Sequence, residues 1–468
     1  MLSRIRDGKP MSFQDLLRLT ILLSIPSIVA QVSAIIMQYI DAAMVGSLGA
    51  AASASIGLIS TTTWLFCGLC TAAATGFAVQ IAHLIGANRK PDAQRIVRQA
   101  VTAAFAFGVI LAGLGWAISD HLPQWLGGGN DIIDDASAYF FIFALSLPVF
   151  QIGVLAGSIL RCSGNMFVPG MLNVMMCVLD VIFNTLLIFP TREWHGITIP
   201  GADLGVSGAA IGTVLAEFVA TVAMLWYLWQ RSPQLNMRGS EGSFIPRVSM
   251  LIKSARISLP IALEHAVMCG AQIVVTVIVA PLGTLAIAAN AFAITAESLC
   301  YMPGFGIGEA ATTLVGQSVG AKRIDLTRRF ARITVYSGMV VMTIMGIIMY
   351  LAAPLMMEFF TPDVQVRDLG VMVLRIEAWA EPMFAAAIVS YGAFVGAGDT
   401  LIPSGMNLGS MWIVRLTLAG ILAPVYGLKG VWIAMCIELC FRGAIFLWRL
   451  YSESWLKRYR PLLENLQQ

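Results

Sequence analysis

The sequence predicts an all-α integral membrane protein, with twelve transmembrane helices in two homologous six-helix lobes around a central cavity. Three observations carry this reading. Of the 468 residues, 58% are hydrophobic and 12% charged, with mean hydropathy +0.80. Soluble domains carry about 25% charged residues, so the polar surface here is too small to cover a water-soluble globule. Apolar runs separated by polar or Gly/Pro breaks give twelve candidate helices. Finally, the chain repeats itself at a fixed offset. Spanning segments are expected as helices of about 20 residues, because lipid cannot satisfy free backbone groups. Alternating short strands are absent, which argues against an outer-membrane barrel.

In chain order the spans are expected at 17–44, 51–84, 96–119, 136–160, 166–189, 206–229, 252–281, 285–318, 330–354, 368–396, 402–425 and 428–450. Several are longer than a bilayer needs, which predicts tilt or a kink. No cleavable signal peptide is expected: Arg4, Arg6 and Lys9 precede an amphipathic opening, "MSFQDLLRLT", and then a long apolar span. Lys and Arg cluster at alternate connections. One cluster holds Arg89, Lys90, Arg95 and Arg98. A second holds Arg231, Arg238, Arg247, Lys253 and Arg256, and a third Lys322, Arg323, Arg328, Arg329 and Arg332. The C-terminal cluster is Arg449, Lys457, Arg458 and Arg460, whereas "SDHLPQWLGGGNDIIDD" has neither Lys nor Arg. The positive-inside rule then places both termini in the cytoplasm, which requires an even number of spans.

The repeat has an offset of 234 positions, the separation of Pro26 from Pro260. At that offset Gly49 falls on Gly283, Gly86-Ala87 on Gly320-Ala321, Arg89, Arg95 and Arg98 on Arg323, Arg329 and Arg332, Pro148 on Pro382, Gly164 on Gly398, Pro169 on Pro403 and Asn173 on Asn407. The register slips by about a dozen residues where "TREWHGITIPGAD" lengthens the first half's fifth loop. Residues 1–230 and 250–468 are therefore expected as lobes joined by a cytoplasmic linker, 231–249. Each lobe spans an even number of times, so the repeats are parallel. That is a transporter architecture. A channel is more often built from identical subunits, and no filter-like sequence is present.

Ionisable residues inside a bilayer cost roughly 2.5–3.5 kcal/mol on insertion scales, so they face a cavity or a partner. Asp41 lies in "MQYIDAAMVG", and its repeat counterpart is Val275; Asp180 has Val414. The scaffold does not require these acids. "LNVMMCVLDVIFNTLL" sets Asn173, Asp180 and Asn184 on one helical face, at spacings of seven and four. "SGAAIGTVLAE" adds Thr213 on the sixth span, with Glu217 one turn on, among Gly and Ala that permit close helix approach. Asp41 and Asp180 with Asn173, Asn184 and Thr213 make a candidate site for a proton or Na+. Desolvation favours the protonated form of a carboxyl, and a neighbouring carboxylate favours it further. The alternative is a hydrogen-bonded polar cluster that only orients helices.

In the second half Glu264, Asn290 and Glu297 are candidate cavity residues facing an organic cation, with Asn290 and Glu297 sharing a face. Glu309 follows "GFGIG", a place for a kink, and His265 reads as a packing residue. "LRIEAWAEP" carries Arg375, Glu377 and Glu381, expected in an intramembrane salt-bridge network with Arg415; Glu438 and Arg442, at i and i+4, are an expected ion pair. The eight cysteines, including Cys67 and Cys70, lie in or beside apolar runs and read as packing residues, so no metal site is expected.

The chain resembles the multidrug and toxic compound extrusion family over essentially its full length. The matching stretches are "IDAAMVGSLGAAASASIGL", "LRCSGNMFVP", "LDVIFNTLLIF", "SLPIALEHAV", "APLGTLAIAANAF", "MPGFGIGEAATTLVGQSVGAKR" and "VGAGDTLIP". The resemblance implies two six-helix lobes, alternating access, and export of organic cations or drugs coupled to inward H+ or Na+, with no other cofactor. It also implies a multi-pass protein of a bacterial or archaeal cytoplasmic (inner) membrane. Asp41 is similar to the first-span acid of prokaryotic members, Asp180 to the fifth-span acid, Thr213 to the sixth-span hydroxyl and Glu264 to the seventh-span Glu of one branch. Met176 departs from the pattern: it stands where members with this cation site carry Asn, and Met sulfur is a poor ligand for a hard cation. One Na+ ligand is then missing unless Asn173 or Asn184 takes its place, which favours H+ while leaving the coupling ion as H+ or Na+.

The expected partners are small organic cations, H+ or Na+, and the lipid bilayer; no nucleic acid is expected, and a monomer is. A flippase for a lipid-linked sugar, or an exporter of anionic metabolites, is the alternative on the same scaffold. An enzyme is not expected, because no H-E-x-x-H, G-x-S-x-G or P-loop occurs and the four His are scattered.

Overall fold

The computed structural model describes residues 2–194, 197–237 and 242–459. Of the positions discussed above, His195, Gly196, Arg238 and Arg460 lie outside the described residues, as do the side chains of Lys457 and Arg458. Ten spans are continuous helices: Phe13–Gly46, Ala50–Gly86, Lys90–Ser119, Ile133–Cys162, Phe167–Ile188, Gly205–Gln230, Val248–Val279, Thr284–Gly320, Ile324–Phe360 and Leu428–Ser452. The tenth is in two pieces, Val364–Glu377 and Glu381–Gly396, and the eleventh runs Leu401–Tyr426. Among the described residues, eleven helices are long and apolar enough to cross a membrane; the broken tenth is the exception. Many large apolar side chains stay exposed on them, such as Leu351 at 71% and Ile413 at 72%. Apolar surface on that scale is unfavourable in water and at home in lipid.

Local chemistry sets the helix ends. At the first span, the Ser12 hydroxyl accepts from the Asp15 amide (3.2 Å), and the Asp15 carboxylate accepts from the Ser12 amide (3.1 Å). This reciprocal box satisfies two donors that a helix start leaves free. At the tenth, the Asp363 carboxylate accepts from the amides of Gln365 and Val366 (2.9 and 3.3 Å). The repeat reappears in the turns. Gly49 and Gly283 both have positive φ, 121° and 102°, which explains why both copies keep glycine. Asn88 and Lys322 occupy equivalent turns, both at 57°.

Three features differ from the expected continuous spans and simple loops. The tenth span, expected continuous over 368–396, breaks at 378–380 because Pro382 has no N–H to continue the ladder. Its counterpart Pro148 lies inside the unbroken Ile133–Cys162, so proline alone does not decide the break. The eleventh span contains one π-helical stretch, Ser410–Arg415. The longer fifth loop is an antiparallel hairpin, Pro190–Trp194 with Ile197–Ala202. Beyond it the repeat resumes at Gly205 and Gly427, with positive φ of 55° and 60°.

Packing divides the chain differently from the repeat. One compact unit comprises Met1–Val32, Ala82–Asn88 and Pro260–Gln468; the other comprises Ser33–Ile81 and Arg89–Leu259. The expected lobes, 1–230 and 250–468, follow sequence similarity, whereas the units follow contacts. Within the first unit, glycines bring the beginnings of the chain onto the eighth span. A Cβ on Gly86 would strike the backbone of Gln317, and one on Gly320 the backbone of His83. His83 and Gln317 are themselves one repeat apart, so the crossing is reciprocal. Gly306 likewise lies against the Ile28 backbone. The second unit is cored by Ile59, Phe140, Leu147 and Leu155, all fully buried.

The crossing predicts that Gly86→Ala or Gly320→Ala will destabilise by on the order of 1–3 kcal/mol, the usual cost of overpacking. Gly57→Ala, where a Cβ meets nothing within 4 Å, is the control. Thermal melts of the purified variants check this: both crossing variants should melt below wild type, and Gly57→Ala should not.

Candidate functional site

The first site lies within the unit formed by Ser33–Ile81 and Arg89–Leu259. Asp180 and Asn184 are one helical turn apart on the fifth span, and both are fully buried. Asp41 approaches them from the first span. The Asn184 Nδ2 donates to Asp41 Oδ1 (2.9 Å) and to Asp180 Oδ2 (3.1 Å), so one amide ties both carboxyls together. Gly212 of the sixth span makes this possible: Asn184 Oδ1 lies so close to it that a Cβ would collide. The fifth span is also tied to the first by the Cys177 thiol, which donates to the Ser33 carbonyl (3.4 Å). Tyr139 of the fourth span and Glu217 of the sixth are neighbouring titratable groups.

Two expected members do not join. Asn173 is half-buried and makes no hydrogen bond to the pair among the described residues. It precedes Asp180 by two turns, about 10 Å along the axis. Thr213 is half-buried and also makes none; its neighbour Gly212 is the contact instead. Spacing identified the face but not its depth. The fit of Gly212 against Asn184 could not be found from one strand of sequence, although the Gly/Ala character of "SGAAIG" marked a close approach.

The second-half residues, expected to face one cavity, go to three places within the other unit. Glu264 is held by Tyr391, whose hydroxyl donates to Oε2 (2.6 Å), and by Asn407, whose Nδ2 donates to Oε1 (2.6 Å). Asn290 instead accepts from the indole of buried Trp432 (2.9 Å), which makes it an anchor between the eighth and twelfth spans. Glu297 is buried and has Arg415 as an electrostatic neighbour. His265, expected to pack, is exposed. Glu309, expected beside a kink, lies inside the continuous Thr284–Gly320 and accepts from the Ser27 hydroxyl and from Gln31 Nε2 (3.2 Å), both on the first span.

The expected salt-bridge network is also redistributed. Glu438 pairs with Arg442 (2.7 Å), as the spacing predicts, and also with Arg415 (2.6 Å); Ser410 donates to it as well (2.5 Å). The π-helical stretch carries both Ser410 and Arg415. Arg375 does not reach Glu377 or Glu381. Two positions along a helix point to different sides, and Arg375 donates to the Tyr350 carbonyl (3.3 Å) with its guanidinium over that ring. Glu377 and Glu381 are fully buried, and none of their four carboxyl oxygens has a hydrogen-bond partner among the described residues.

A bundle of long apolar helices with buried, paired acids defines a membrane transporter. Comparison with known proteins agrees. The MatE family model matches residues 26–186 and 260–421, one match in each repeat. The chain belongs to the MatE family, whose members are transporters and not enzymes. It is 27% identical over 442 residues to a "Probable multidrug resistance protein NorM" of Thermotoga maritima, covering 93% of this chain and 92% of that one. A solved outward-facing multidrug resistance MATE transporter shares its fold with TM-score 0.87 at 19% identity, covering 99% of this chain and 98% of that one. A mutant of the Vibrio cholerae MATE transporter VcmN gives TM-score 0.85 at 20% identity, covering 95% and 98%.

Two predictions follow from the contacts. Gly212→Ala should displace the Asn184 amide and reduce dye efflux about as far as Asn184→Ala. The double variant should be no worse than either single one, since both act on one contact; efflux assays on the three variants measure this, and additive losses would contradict it. Glu438→Ala should lower stability by about 3–5 kcal/mol, because it leaves the buried Arg442 and the half-buried Arg415 without their carboxylate. A melting curve beside Glu358→Ala, whose carboxylate is 66% exposed, provides the comparison.

Proposed function

We propose that this protein is a proton-coupled antiporter that exports organic cations by alternating access across a prokaryotic cytoplasmic membrane, with both termini inside. The observation that carries this reading is the Asp41–Asn184–Asp180 cluster, two acids on different spans joined by one amide. The names of the NorM relatives, as multidrug resistance proteins, support the substrate class.

The cluster suits a proton better than Na+. A sodium ion needs several oxygens converging on it, yet the amide turns its nitrogen towards the two carboxyls and its oxygen towards Gly212. Neither Thr213 nor Asn173 hydrogen-bonds to the pair among the described residues, and Met176 offers only sulfur. Proton uptake by the pair exchanges an acceptor for a donor. The Asn184 amide then loses an anionic acceptor, and the first span is free to shift near Pro26. That same helix carries Ser27 and Gln31, which hold Glu309. One proton crossing 100 mV supplies about 2.3 kcal/mol. At about 1.4 kcal/mol per tenfold, this sustains a gradient of a few tens-fold for a neutral substrate.

The test is transport of a cationic dye by proteoliposomes with either a pH gradient or a Na+ gradient imposed alone. The pH gradient should drive accumulation and the Na+ gradient should not, and Asp41→Asn with Asp180→Asn should lower pH-driven uptake at least tenfold. Undiminished uptake in that double variant would remove the assignment of the site.

A further inference from the structure

The break in the tenth span brings acids together in a way the Asp41–Asp180 cluster does not explain. Glu377 is the last residue of Val364–Glu377, and Glu381 is the first of Glu381–Gly396. The two carboxyls therefore flank the break. Glu297 of the eighth span is an electrostatic neighbour of both. At the repeat offset, the counterparts are Phe143, Leu147 and Thr63. In that copy the span is unbroken and Leu147 is fully buried. The architecture thus accepts an apolar side chain at both flanking positions, and two acids there are an addition to it.

Both acids are completely buried, and all four oxygens are without a partner among the described residues. An ionised carboxylate so placed is strongly unfavourable, whereas a protonated one is neutral. The charged groups around them do not relieve this. Arg415, an electrostatic neighbour of Glu377, is engaged by Glu438, which Arg442 also binds. Cys300 of the eighth span faces Glu381 and Glu297, and Cys436 of the twelfth faces Glu377. On the ninth span, Gly346 lies against Glu381. Beside the break lies an open groove of about 400 Å³, lined by Tyr350, Arg375, Ile376, Trp379, Cys436 and Ile437. Cys436 belongs both to the groove wall and to the surroundings of Glu377.

We propose that Glu377 and Glu381, with Glu297 beside them, form a second proton-carrying site at the break of the tenth span, distinct from Asp41 and Asp180. The break makes it responsive: Ala378 and Ala380 keep helical dihedrals, but Pro382 supplies no N–H to the ladder, so the span bends most easily here. Straightening or bending the tenth span changes how the two carboxyls face each other and the groove, and so exchanges their protons with water. This rests on the proposed antiport, and adds a second acid pair in the other contact unit.

Infrared difference spectroscopy of the full chain in lipid tests it, with tetraphenylphosphonium as the added cation. In the Asp41→Asn, Asp180→Asn background, adding the cation should still change the carbonyl band of protonated carboxyls. Adding Glu377→Gln and Glu381→Gln should cut that change at least twofold; glutamine keeps the shape of the neutral acid, so folding is expected. Each single glutamine variant should remove part of the band, which covers failure of the double variant to fold. An unchanged difference band in the glutamine variants would overturn the proposal. So would a band that is present but does not respond to the cation, since the acids would then be permanently neutral packing groups. The antiport reading fails by a separate result, pH-driven uptake unaffected by Asp41→Asn with Asp180→Asn.

Discussion

A charged group among apolar helices must find a partner, hold a proton or reach water, and this constraint organises the interior of the protein. The acids meet it in four ways. Glu438 is enclosed by two guanidinium groups and a hydroxyl. Glu264 accepts hydrogen bonds from two uncharged donors, a phenol and an amide. Asp41 and Asp180 share a single amide donor. Glu377 and Glu381 have no partner at all among the described residues. The order runs from fixed to mobile. A carboxylate between two arginines gains nothing by taking a proton, so Glu438 holds the eleventh and twelfth spans together. Two carboxyls sharing one donor have every reason to take one.

The first span links these roles. Its early part packs with the C-terminal half and carries Ser27 and Gln31 against Glu309; its later part carries Asp41 against Asn184. The helix is continuous over Phe13–Gly46, with Pro26 inside it. Proline removes a backbone hydrogen bond, so this is where the helix bends most easily.

Much of this was legible in the sequence, for identifiable reasons. Burial in lipid imposes long apolar runs, so the spans were clear, and the repeat exposed Asp41 and Asp180 as acids the scaffold did not require. Shared turn geometry kept Gly49 and Gly283 in register. What was hidden depends on distances across the fold. Pro148 and Pro382 look alike in sequence, yet only the second opens its helix. Asn290 and Glu297 share a face, but Trp432 claims the first. Arg375 lies two residues from Glu377, and its helix turns it away to Tyr350. The packing of 82–88 onto the eighth span rests on glycines whose contact partners are more than two hundred positions distant.

The central claim is that Asp41 and Asp180 exchange a proton for substrate. Its most direct test needs no membrane gradient: the protons released when an organic cation binds the purified protein in weakly buffered detergent. The account predicts net release near neutral pH, reduced by at least half in the Asp41→Asn, Asp180→Asn protein that still binds the cation. Equal release from the two proteins, or cation binding with no proton released by the unsubstituted chain, would contradict it.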